Sequence, residues 1–398
     1  MNLFLSFSFI LLPQISGDDL RLFSAAKVFT ATEEGVIDGG IVAVAEGKIV
    51  WVGKAVDSPY TSNHPVENLG NVWLVPGLHE PHCHVAGSLG DLNDNVGLTN
   101  PGLDAYSTLD PWNPLLRDAV AGGVTTALLI PGSGSNMGGF GSLVKTSAKT
   151  VAEMVVRDPG SLKVAQAGNP ERWGYRVGRA LMNWNTRRTL QLGLEHARAI
   201  KTEAVEADPR WRNFPGLESG EVPVSVHTQI YQVVLQTLTM LKRDLGLQAF
   251  VDHGTFDGYK TGFLAAELGV PVMNGPRQVW HDRSRNRIQG CAAGWAEAEG
   301  LLLGYNTDAP VIPQEELPFQ AAMGVRYGAG NDVSALEGMT ANAAQALLCE
   351  DISGSLRPGL DADLVAWTGS PVDPRSWVQK AWVRGELVYD AEKDGRRF

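Results

Sequence analysis

Residues 73–85 read WLVPGLHEPHCHV, an apolar run that turns polar and closes on His82-Cys83-His84. On a β-strand, residues i and i+2 point to the same face, so the two imidazoles converge at the end of such a strand. Imidazole is a good ligand for zinc, and two on one strand make a rigid half-site. Taken alone, His-x-His is weakly specific, and two incidental histidines are its plainest reading. The rest of the chain changes that.

Seven further apolar runs follow: 124–132 (VTTALLIPG), 141–146 (GSLVKT), 161–168 (SLKVAQAG), 222–229 (VPVSVHTQ), 248–255 (QAFVDHGT), 270–276 (VPVMNGP) and 301–310 (LLLGYNTDAP). Helical patterns lie between several of them, as in 192–207 and 233–246. Strands alternating with helices argue for parallel βα units, and eight of them predict a (β/α)8 TIM-like barrel, an α/β fold. Active sites of such barrels sit at the C-terminal ends of the strands. His227 and His253 end two of the later runs, and Asp308 ends the last. A lone histidine at such a place is more often a structural group. Five candidate ligands gathered at strand ends of one barrel are harder to read as incidental. The stretch 169–220 is long for one connection and predicts an extra helix at the mouth.

Both ends of the chain have a different texture. IVAVA and KIVWVG, joined at Glu46-Gly47, read as a hairpin, and the C-terminal run ADLVAWTG…WVRGELVYD reads as two or three more strands turning at Gly385-Glu386. Residues 18–75 and 352–398 are therefore expected to form one small β-sandwich, beside a barrel of residues 76–351. Leu3 to Leu12 is too short to span a bilayer, which takes about 20 apolar residues. It resembles the core of a secretory signal with a small-residue cleavage region at Ser16-Gly17, although Met1-Asn2 lacks the usual basic start. A cleaved leader over 1–17, exporting the chain, and a misassigned start are the two readings.

Composition narrows the function. The chain has 398 residues, 44% hydrophobic and 19% charged, which suits a globular enzyme rather than a disordered segment. Lys+Arg 33 against Asp+Glu 44 gives −11, which argues against nucleic-acid or anionic-membrane partners. A small-molecule substrate fits better, and a homo-oligomer stays open. Cys83, Cys291 and Cys349 are scattered and form no CxxC pair, so neither a disulfide scaffold nor a thiolate zinc site is expected.

The segments VPGLHEPHCHVAG, AGGVTTALLIPGSGSNMGG, VSVHTQ, VDHGTF, NTDAPVIP and MTANAAQALLCEDISGSLRPGLDADLVAW resemble the metal-dependent amidohydrolases, and within them the imidazolonepropionase-like group. The resemblance covers roughly residues 20–390. It implies a divalent metal, zinc first, as one or two ions per chain held by His82, His84, His227, His253 and Asp308. It also marks departures. Glu80 stands where the family has Asp, and Leu360 stands where Lys follows Pro-Gly, a change expected at the surface. His79 falls on the opposite strand face from His82 and reads as structural.

A two-metal site needs a bridging anion. The Gly-Glu-Asn-Pro segment of relatives is here Ala167-Gly168-Asn169-Pro170, without the acid. Lys163, in an apolar strand where an ammonium is costly, is the leading candidate once carboxylated; Lys145 is the rival, and a lysine reaching to the surface is the plain alternative. Asp308 is the expected proton acceptor from a metal-activated water, and His253 an alternative partner of that water. Asn93, Asp94, Asn136 to Gly139, and Arg172 to Tyr175 are candidate substrate contacts, each also readable as plain loop. The expected activity is hydrolysis of an amide C–N bond in a cyclic amide, N-acyl amino acid or dipeptide. Deamination of a ring and a metal-free scaffold are the alternatives; His227-Thr228-Gln229 lacks the Glu that deaminases of this kind carry nearby.

Overall fold

The computed structural model describes residues 19–85, 87, 93–166, 168–172 and 175–398. The leader expected over residues 1–17 lies outside them, as do Trp173 and Gly174. No helix among the described residues is long and apolar enough to cross a membrane.

The chain opens with β1 (Arg21–Phe29), β2 (Val36–Ala45), β3 (Lys48–Lys54), β4 (Val66–Asn68) and β5 (Trp73–Pro76). It continues with β6 (Leu78–Cys83), β7 (Val124–Leu129), β8 (Met137–Lys145), β9 (Val155–Ala165), β10 (Val224–Thr228), β11 (Ala249–His253) and β12 (Val272–Asn274). Then come β13 (Val279–Asp282), β14 (Arg287–Gly290), β15 (Leu303–Tyr305), β16 (Leu364–Trp367), β17 (Val378–Val383) and β18 (Glu386–Asp390).

Strands from both ends share one sheet, in the order β18-β17-β16-β5-β1-β2-β3, with β4 beside β1. The ends meet through packing as well as hydrogen bonds: Phe23, Val42, Leu74, Leu364 and Trp382 lie in one buried cluster, and the Phe23 and Trp382 rings are 5.0 Å apart. The β2–β3 turn places Glu46 at φ 50° and Gly47 at φ 73°, the left-handed pair that a two-residue hairpin demands. A Cβ on Gly47 would meet the Arg384 carbonyl oxygen at 2.9 Å, so glycine lets two turns touch. The second of these is Arg384-Gly385, one residue earlier than the sequence suggests. Leu360 is 4% exposed; it is a core residue of this region, not a surface one.

The eight apolar runs form the second sheet, in the order β15-β12-β11-β10-β9-β8-β7-β6, so all eight are neighbours in chain order. Its edges approach each other at Cys83 and Ala309, where His84 N donates to Ala309 O at 2.8 Å. The nearly closed ring fits a barrel, with one correction to the (β/α)8 expectation. β8 runs antiparallel to both β7 and β9. The connection 130–136 is too short for the helical crossover that a parallel return needs, so the chain simply turns back. The expected extra helix is present as Arg179–Lys201, which follows β9. Among the described residues β13 and β14 pair only with each other.

Candidate metal centre

Each site residue comes from the C-terminal end of a parallel strand. The register places Lys163 of β9 opposite Ser225, two residues before His227 of β10, and Thr228 opposite His253 of β11. These side chains are buried among strands that are apolar on both faces, as barrel strands are. His82 and His84 do converge, with ring centroids 5.1 Å apart. The His82–His253 and His253–His227 centroids are 4.6 and 4.4 Å apart.

Asp308 joins the group from beyond β15. Its Oδ1 lies 3.2 Å from both His82 Nε2 and His84 Nε2. His82, His84 and Asp308 offer ligand atoms within 4.8 Å of one another, close enough for one ion. Lys163 Nζ is 3.1 Å from His82 Nε2.

The outer nitrogens are anchored. His84 Nδ1–H donates to Ile130 O at 2.8 Å, and His253 Nδ1–H donates to Gly275 O at 2.7 Å. Ser133 Oγ is 3.0 Å from His227 Nδ1. His227 Nε2 and His253 Nε2 are buried with no hydrogen-bond partner among the described residues. A buried imidazole nitrogen without a partner is costly, and one whose opposite nitrogen donates to a carbonyl is set as a metal ligand. A Cβ at Gly168 would stand 3.3 Å from His227 Nε2, so this glycine leaves that nitrogen clear. The donor set therefore fits a divalent cation.

The electrostatics agree. Burial, reinforced at His227 by the neighbouring His253, holds His227 far below its ordinary range. Burial takes His253 down to about 4, so both rings are neutral near pH 7, the form in which an imidazole can bind a metal. Burial also lowers Lys163, to about 8, although Asp252 and Asp308 oppose it. At Asp308 burial works against the anion, but His253 and the hydrogen bonds from His82 and His84 outweigh it and keep the carboxylate ionised. Burial would lower His82 too; Asp252, with Oδ2 2.9 Å from His82 Nδ1, outweighs it and raises the ring.

Asp252 was not singled out in the sequence. Strand alternation turns it away from the face of His253. However, His253 has φ 71°, which ends the regular strand and lets both residues reach His82. The Asp-His pair in VDHGT was the only available signal.

The remaining predicted residues separate. Lys145, the rival bridge, is at the far end of the barrel, because β8 runs backwards. There it is fully buried against Asp363 at 2.6 Å and Asp361 at 3.2 Å. His79 is structural: its Nδ1–H donates to Gly77 O at 3.1 Å and Ser353 Oγ–H donates to its Nε2 at 2.9 Å. Asn136, expected as a substrate contact, is hydrogen-bonded into the scaffold. Its amide donates to Ala165 O at 2.7 Å and Thr186 Oγ1 at 3.1 Å, and its oxygen accepts from Asn185 at 3.1 Å. Asn93 accepts from Gly134 N at 2.7 Å and faces a neighbouring cavity with Asp94 and Gly138. The Tyr175 hydroxyl is buried without a partner among the described residues. Arg172 does line the site cavity, a space of about 690 Å³ shared with His227, His253 and Asp308. Arg277, Trp280, Phe256 and Thr255 line it too and were missed, since neither the loops nor the four-residue strand β13 carries enough periodicity to find them by.

No family model matches the chain. It is 29% identical to a crystal structure of an amidohydrolase from Thermotoga maritima, with a TM-score of 0.81 over 93% of this chain and 99% of that one. It is 24% identical over 371 residues to the amidohydrolase tasK of Hapsidospora irregularis, covering 80% of this chain and only 36% of the relative's length. It is 23% identical over 382 residues to an imidazolonepropionase of Rhizorhabdus wittichii, covering 87% of this chain and 93% of that one.

Proposed function

We infer that this chain, a hydrolase of carbon–nitrogen bonds related to the imidazolonepropionase-like amidohydrolases, cleaves an amide in a small substrate that carries an anionic group. The observation that carries the reading is the pair of buried, unpartnered nitrogens, His227 Nε2 and His253 Nε2, facing the His82-His84-Asp308 cluster. A scaffold without metal would gain nothing from leaving them unsatisfied.

His82, His84 and Asp308 would hold one divalent ion, and His227 with His253 a second. Zinc suits this set of imidazole and carboxylate donors, and such an ion supplies Lewis acidity toward water and the scissile carbonyl. Asp308 accepts the proton of the attacking water and returns it to the leaving nitrogen. It stays ionised, the form in which a carboxylate can take up a proton. Lys163 is the proposed bridge. Its ammonium would first give up one proton; the neutral amine would then bond through nitrogen to carbon dioxide and lose a second proton, leaving a carbamate anion able to serve both ions. Burial supports this by favouring the neutral amine that must attack.

Substrate class rests on the cavity wall. Arg172 and Arg277 bring two cations to it, and the Arg277 guanidinium stacks 5.0 Å over Phe256. A carboxylate is the natural partner of a guanidinium, and Trp280 and Phe256 offer an apolar wall to the rest. The domain division that accompanies this reading is a barrel of residues 76–351 and one β-sandwich from 18–75 with 352–398.

The test is metal analysis of the full chain, followed by assay of N-acyl amino acids, dipeptides and cyclic amides. The expectation is about two ions per chain and cleavage of carboxylate-bearing amides that chelator abolishes and zinc restores. Ammonia release from an aminated ring without cleavage would favour deamination. A chain that binds no divalent ion would end the reading.

A further inference from the structure

The barrel is not closed by a strand ladder. Between β15 and β6 the described residues show one isolated bridge, Cys83 to Ala309. The seam also carries two of the site's parts, His82-Cys83-His84 on one side and Asp308 on the other. Asp308 sits at φ 54°, a left-handed conformation that a non-glycine residue holds only where its surroundings enforce it.

Glu80 spans this seam. Its side chain is fully buried. Oε1 accepts from His82 N at 3.0 Å. Oε2 accepts from Thr307 N at 3.0 Å and from Thr307 Oγ1 at 2.6 Å. One carboxylate thus grips the backbone of a histidine of the cluster and the residue immediately before Asp308. Three donors converge on it, so this is a built contact and not a buried acid by accident.

The geometry points to Glu80 as a positioning residue that clasps the barrel seam and aims the Asp308 carboxylate at His82 and His84. It does for the seam what a backbone ladder does elsewhere in the ring. The extra methylene of glutamate over aspartate lengthens its reach by about 1.5 Å, and the clasp needs that reach to hold both sides at once. This rests on the reading of Asp308 as the acid of a metal site, proposed above.

The experiment uses the full chain, zinc-loaded for kinetics and cobalt-substituted for its visible spectrum. The variants are Glu80→Asp, Glu80→Gln, Thr307→Val and, as a control of the reading itself, Asp308→Asn. Thr307→Val removes the 2.6 Å contact and keeps the backbone one. It should lower kcat ~10-fold with KM held within ~2-fold, and shift the cobalt spectrum. Glu80→Asp should lower kcat ~100-fold and release metal faster on dialysis against chelator, with Glu80→Gln between the two because one acceptor remains. If Asp308→Asn is inactive while Thr307→Val and Glu80→Asp keep the wild-type spectrum, metal retention and kcat, the clasp is refuted and the site reading stands. If Asp308→Asn keeps full activity, the site reading itself fails. Should the Glu80 variants not fold, the spectrum and kcat of Thr307→Val decide alone.

Discussion

His253 and Asp252 are neighbours in the chain and both meet His82, which a regular strand forbids. The left-handed turn at His253 removes the restriction. The same residue-level logic makes Lys163 the most exposed part of the functional reading to test. Lys163→Ala removes the proposed anion between two cations. Metal content measured on the purified chain should fall from about two toward one, and activity should drop at least ~100-fold. A short carboxylate such as propionate should restore part of it, and bicarbonate should not; full metal and full activity in the variant would make the site mononuclear. A second residue reports on stability without touching the proposed metal ligands. Burial holds His79 down to about 4, against an ordinary 6.5. Between those values the unfolded chain takes up a proton that the folded chain refuses, so stability is lost as pH falls from 6.5 toward 4, by about 1.4 kcal/mol per pH unit at most. His79→Gln should flatten that slope in denaturant titrations across the window. An unchanged slope would mean that His79 is not held neutral.

At the scale of elements, β8 decides which lysine belongs to the site. Running backwards, it delivers Lys145 to the far end of the barrel, into a buried group with Asp363 and Asp361. Asp363 is held as well by Arg384 N at 2.9 Å and Thr125 Oγ1 at 3.3 Å, so the group joins β7 and β8 to the terminal sheet. Lys145→Met should cost ~3–5 kcal/mol in chemical denaturation, because it takes the cation from buried Asp363, whereas Asp361 keeps Lys48 at 2.7 Å. Metal content and kcat of the folded variant should stay within ~2-fold of the parent. A loss of metal without loss of stability would return Lys145 to the site.

At the scale of the molecule, a chain of formal charge −11 carries Arg172 and Arg277 on the wall of its site cavity. Opposed charge at a mouth raises the encounter rate of an anionic substrate and is screened by salt. For a carboxylate-bearing amide, kcat/KM should fall as ionic strength rises, and Arg277→Ala should raise KM ~10-fold or more while blunting the salt dependence. A salt-independent kcat/KM would argue against an anionic substrate. The shared terminal sheet makes a second whole-chain statement. Truncation after residue 360 removes β16–β18 and uncovers Leu74, Phe23 and the edge of β5. The shortened chain should fail to accumulate in soluble form, measured against the full chain at equal expression.

Periodicity and residue chemistry made the eight strand runs, the β texture of both ends and the gathering of His82, His84, His227, His253 and Asp308 at strand ends legible from the sequence, because strand burial and side-chain chemistry are written locally. Partnership across the fold was not. Whether Lys163 or Lys145 stands beside His82 depends on the direction of β8, and strand direction depends on where the chain can turn back. Asn136 reads like a loop contact until its amide is seen bound to Ala165 and Thr186. Glu80 reads as a departure from a motif until Thr307, far along the chain, is found against it. Those assignments are contacts between distant segments. They exist only once the ring of strands has brought its two edges together, and no local property of either segment encodes which partner it will meet.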